Sequence, residues 1–70
     1  MPSDQTWTQV WKIGKKLDQL YDWDSDSSFL REKEVKLSRL TSEIVKHEQV
    51  LTELDHLQVE VENYFTKKGI

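Results

Sequence analysis

The sequence predicts an all-α protein: a two-helix antiparallel hairpin, with a short first helix and a long heptad second helix, assembling into a coiled-coil-like helical bundle. Three observations carry that expectation. A heptad pattern runs unbroken from Leu30 to Phe65. Apolar residues recur at helical spacing from Trp7 to Tyr21. Between the two, the stretch Asp22 to Ser28 is the one clear break, rich in Asp and Ser, which favour turns and caps over helix interiors.

With the a position set at Leu30, the a residues are Leu30, Leu37, Ile44, Leu51, Gln58 and Phe65, and the d residues are Lys33, Leu40, His47, Leu54 and Val61. Eight of these eleven are apolar, and neither Gly nor Pro interrupts the run. Such a stripe packs on other helices. The expected second helix covers about residues 29–67, which at 1.5 Å per residue is about 60 Å. Lys67 and Lys68 suit the negative end of its dipole, and Gly69 stands where a C′ residue belongs.

The first helix is expected over about residues 4–22. Ser3 is a candidate cap with Asp4 at the positive dipole end, and Thr6 with Gln9 offers an alternative capping box. Trp7, Val10, Ile13, Leu17, Leu20 and Tyr21 fall in one broad arc, with Trp11 on its edge, so the aromatics are expected to pack on the second helix. Gly14 lies in that arc at a cost of about 1 kcal/mol against Ala. It reads as a point of close helix approach, with a kink as the alternative. Lys12, Lys15 and Lys16 make the middle of the helix basic, and Asp18 and Asp22 make its end acidic. That end opposes the dipole and should fray unless packing holds it.

The loop is expected at about residues 23–28, with Ser27 or Ser28 capping the next helix. A connection this short folds the two helices back on each other. Trp23 points off the apolar arc and either covers the turn or is presented to a partner.

A first helix of about 30 Å covers only half of a second one twice as long. The distal stripe of Val50, Leu51, Leu54, Leu57, Val61, Tyr64 and Phe65 would then face water, which a monomer does not sustain. Another chain is expected to cover it. Residues 31–46 carry five basic and three acidic side chains, whereas 48–62 carry Glu48, Glu53, Asp55, Glu60 and Glu62 and no Lys or Arg. An antiparallel pair brings the basic half onto the acidic half, setting Leu30 against Val61, Lys33 against Gln58, Leu37 against Leu54, Leu40 against Leu51 and Ile44 against His47. The expectation is an antiparallel homodimer whose interface uses Leu30, Leu37, Leu40, Ile44, His47, Leu51, Leu54, Gln58, Val61 and Phe65. His47 and Gln58 would fix the register as polar seam residues, and His47 would make the contact pH-sensitive. Trp11, Trp23, Leu57 and Tyr64 are candidate contacts for a protein partner, helical in the simplest case.

Composition bounds the rest. Seventy residues make one domain, 1–70, with a thin core that usually needs help. There is no cysteine to form a disulfide, which fits a cytoplasmic or other reducing intracellular compartment. The net charge of −3 argues against nucleic-acid binding by bulk electrostatics. No apolar run approaches the roughly 20 residues of a spanning helix, and Met1 to Thr8 is too polar for a signal peptide.

Candidate chemistry is sparse. Glu53 and His56 have the Glu-x-x-His spacing of di-iron bundles, but both fall on the outer heptad positions, and the first helix adds no inward carboxylates. No nucleophile triad, Gly-rich phosphate loop or carboxylate pair is present. No catalytic, cofactor or metal residues are therefore assigned, and the chain is not expected to be an enzyme. The expected function is a protein–protein interaction or oligomerisation module: a small assembly subunit, adaptor or regulator. Two alternatives use the first helix, whose Trp7, Trp11, Lys12, Lys15 and Lys16 would suit a membrane surface or a nucleic-acid accessory role. Its Asp4, Asp18 and Asp22 neutralise the lysines and weaken both.

Overall fold

The computed structural model describes residues 4–46 and 49–69. Three helices account for most of them: α1 (Asp4–Trp23), α2 (Ser28–Glu43) and α3 (Gln49–Lys68). Each packs on the other two. The contacts give their directions. Gly14 of α1 lies on Leu37 of α2, across an antiparallel pair. Phe29 stacks on Tyr64 at 4.0 Å and Arg39 reaches Glu53 at 3.9 Å, so α2 and α3 are antiparallel too. Gln9 bonds Gln58 at 2.8 Å and Lys16 lies over the Phe65 ring at 5.1 Å, which makes α1 and α3 parallel. The architecture is an up–down–up three-helix bundle.

The expected two-helix hairpin is corrected accordingly. The long second helix is two helices, and the molecule's longest extent, 35 Å, has no room for a 60 Å rod. The chain turns at Ile44, Val45 and Lys46, where the Lys46 N–H donates to the Glu43 carbonyl at 2.9 Å. None of these three described residues demands a turn. Ile44 keeps right-handed helical angles (φ −56°, ψ −36°), and none of the three residues is Gly, Pro, Asn or Asp. Burial decides instead, because folding back places α3 against both α1 and α2. Tertiary packing of this kind routinely outweighs local helix preference. Ser3, the candidate cap, and His47, the candidate seam histidine, lie outside the described residues.

The turn also re-phases the apolar stripe. In α3 the buried residues are Val50, Leu54, Leu57, Val61 and Phe65. Val50 and Leu57 take the places the heptad assigned to Leu51 and Gln58; Leu51 is 41% exposed and Gln58 half-buried. Ile13, Leu17 and Leu20 of α1, Leu30 and Leu40 of α2, and Ile44 complete the core.

The helix ends follow their chemistry. Thr6 is buried inside α1, which begins at Asp4, so the helix does not start at Thr6. The acidic end of α1 holds through Trp23 because Leu20 is fully buried, and the Asp24 N–H still donates to the Leu20 carbonyl at 2.6 Å. Ser27 is the N-cap of α2, its Oγ accepting from the Leu30 N–H at 3.2 Å. Gly69 closes α3 with φ +74°, the left-handed conformation glycine adopts without strain.

Two stability outcomes follow. Leu54 has no exposed surface, so Leu54→Ala should cost about 2–5 kcal/mol. That is comparable with the whole stability a core of this size supplies, ~3–5 kcal/mol, and chemical denaturation should find the variant largely unfolded. A Cβ added at Gly14 would meet only the Leu37 side chain, at an ordinary 3.9 Å. Gly14→Ala should therefore raise stability by about 0.5–1 kcal/mol in the same titration.

Candidate interaction surface

Most of the side chains expected to meet a second chain are enclosed within one. Leu30, Leu40, Ile44, Leu54, Val61 and Phe65 are buried in the core, and Leu37 is half-buried beneath Gly14. Leu57, a candidate contact for a foreign partner, is fully buried. Tyr64, another, is half-buried and lies flat on Phe29 with an interplanar angle of 6°, its hydroxyl 3.4 Å from the Ser27 Oγ. Apart from Leu51, the stripe that needed covering lies against α1 and α2 of the same molecule.

The charge pattern is satisfied in the same way. Lys33, at a seam position, is buried with its Nζ on the Glu60 carboxylate, 3.3 Å from Glu32 and over the Phe29 ring at 5.3 Å. Lys36 joins Glu60 at 3.6 Å. The basic half of α2 thus lies on the acidic half of α3, in the antiparallel sense the charges dictate but inside one chain. The hydrogen bond and charge of Glu60 hold the Lys33 ammonium above its ordinary range, against an opposing effect of burial. Reciprocally, Lys33 holds Glu60 below the usual carboxylate range. Gln58 is also used internally, accepting from Gln9 across α1 and α3 and donating to Glu62 at 3.3 Å.

What remains is α1. Trp11 and Trp23, both candidate contacts, are 61% and 56% exposed. Trp7 and Tyr21, expected to pack on the following helix, are instead 42% and 58% exposed. A three-helix bundle buries only the centre of the α1 arc, occupied by Ile13, Leu17 and Leu20, and leaves its aromatic margins outside. Lys15 folds back over the Trp11 ring at 5.4 Å. Beside it, an open groove of about 470 Å³ runs between α1 and α3, bounded by Trp11, Lys12, Lys15, Lys16, Asp18 and Val61. One end of that groove is basic and the other acidic. Among the described residues, Lys12, Lys15, Lys16, Asp18 and Asp22 form no ion pair.

The Glu53–His56 spacing does not build a site. Glu53 is 3.9 Å from Arg39 and His56 is exposed. Among the described residues no cluster of three His, Cys, Asp or Glu side chains could hold a metal ion, and no helix is long and apolar enough to cross a membrane.

Fold and surface together define a small three-helix bundle with one aromatic, charge-segregated helix face turned outward. Comparison with protein-family models, curated proteins and solved structures finds no match to this chain.

The Lys33–Glu60 pair carries a pH dependence with a definite sign. Because the folded Glu60 titrates below its ordinary 4.5, its contribution is present above that value and disappears as pH falls through the lower folded one. Lys33 titrates above its ordinary 10.5, so its contribution holds below that value and is lost only in stronger base. Glu60→Gln should flatten the loss of stability in acid below pH 4.5, read from urea midpoints at several pH values. Lys33→Met keeps the aliphatic packing and should flatten it in part, because Lys36 still lowers Glu60.

Proposed function

We propose that this chain is a non-catalytic protein-interaction module, an assembly subunit, adaptor or regulator, and that its contact surface is the outward side of α1. One observation carries the reading: every described Leu and Ile other than Leu51 is buried or half-buried, yet three tryptophans and a tyrosine of a single helix are exposed. Tryptophan and tyrosine dominate the energetics of protein interfaces, where each supplies a large, rigid contact area.

The mixed charge of α1 favours a protein over an anionic lipid surface or nucleic acid, both of which select a basic face.

Site-specific photo-crosslinking in the cells of origin tests the reading. A photoreactive phenylalanine analogue replacing Trp11 or Trp7 should give one discrete protein adduct. The same group at Val59, 53% exposed on α3, should give none. Equal labelling from all three positions, or adducts with lipid or nucleic acid only, would remove the protein-binding reading.

A further inference from the structure

We propose that the occupant of the α1 surface is a second copy of this chain, lying antiparallel to α1 in a two-fold symmetric dimer. The inference rests on the reading of α1 as the contact helix and names its partner.

The support is a contrast in how the molecule uses its charges. On α2 the cations that face α3 are paired: Lys33 and Lys36 with Glu60, Arg39 with Glu53. On α1 the charges are segregated and left unpaired. Lys12, Lys15 and Lys16 come first and Asp18 and Asp22 follow, with no ion pair to any described residue. Basic before acidic is the poorer order for pairing along one helix, and Lys15 turns back to Trp11 instead. Segregation of this kind is self-complementary in one orientation only. A parallel copy sets lysine on lysine; an antiparallel copy sets the basic half of each helix on the acidic half of the other.

The exposed residues Trp11, Lys15, Asp18 and Asp22 are spaced 4, 3 and 4 along α1, so they share one stripe. Placing Lys15 opposite Asp18 of the second copy creates that contact twice, because the two-fold axis repeats it. The same register brings Trp11 level with Asp22 and Lys12 level with Tyr21 of the second copy, so an exposed aromatic stands beside a charge at each end. The core is untouched, since none of these residues belongs to it. A contact along one helix face is smaller than the about 1,200 Å² of a stable interface. The dimer is therefore weak, concentration-dependent and sensitive to salt.

Sedimentation equilibrium of the full chain tests this. The wild type should pass from monomer to dimer with rising concentration, and about 0.5 M salt, which screens charges beyond a few Å, should shift it back by tenfold or more. K12E/K15E makes α1 acidic throughout its exposed stripe and D18K/D22K makes it basic; each alone should be monomeric with its helical circular dichroism intact. Mixed in equal amounts, the two should form a heterodimer at least as tight as the wild-type dimer. That recovery also excludes misfolding as the cause of either loss. A wild type monomeric at millimolar concentration in low salt overturns the proposal. So does a dimer indifferent to both reversals, or a pair of variants that fail to recombine. A foreign protein crosslinked at position 11 while the wild type stays monomeric leaves the interaction reading standing and removes only the second copy.

Discussion

Burial of the α3 stripe on two sides at once is the constraint the rest of the bundle depends on. Val50, Leu54, Leu57, Val61 and Phe65 are enclosed because α1 lies along one flank of α3 and α2 along the other. In a straight helix the same residues would face water over half its length. With one apolar side chain worth roughly 1.5–3 kcal/mol on burial, five of them exceed the cost of bending residues that would otherwise remain helical. The other features are consequences: α1 must reach the full length of the bundle, the 24–27 connection must be tight, and the outer side of α1 is left to the solvent.

Electrostatics then select the register that hydrophobic packing alone leaves loose. Lys33 is buried at 7% side-chain exposure beside a Glu60 carboxylate that is 40% exposed. Partial hydration of the acid keeps the desolvation cost of the pair low, and sliding α3 by one turn would leave the ammonium without its partner in the interior. Stacking of Phe29 on Tyr64 at one end and the Arg39–Glu53 pair toward the other hold the same alignment.

Much of this was legible before any coordinates. Asp and Ser between Asp22 and Ser28 marked the first turn, Ser27 or Ser28 its cap and Gly69 the last helix end, because those residue types act through local hydrogen bonds and backbone conformation. The basic-to-acidic gradient from Arg31 to Glu62 was read as an antiparallel pair of two chains, and within one chain it is met by α2 lying antiparallel on α3. It did not reveal that one chain supplies both partners, since a heptad reads the same within a molecule as between two. The turn at Ile44–Lys46 was invisible for a physical reason: its residues carry no turn chemistry, and the energy that bends them resides in contacts far along the chain. The exposure of Trp7 and Tyr21 was hidden by treating the first helix as a partner with a broad buried arc, when two neighbours enclose only its centre. Trp11 at the edge of that arc and Trp23 off it were placed outside by the same geometry.

Among its described residues, the corner between α2 and α3 carries no side-chain cap. Ile44 is already in the helical conformation, and neither Val45 nor Lys46 adopts a left-handed one. By contrast, the corner after α1 is tied down by the Ser27 hydroxyl and the Asp24 carbonyl. One bend is written into hydrogen bonds of its own residues. The other is kept in place from the side by α1, so the first helix serves as the clasp that makes a hairpin out of a sequence otherwise content to be straight.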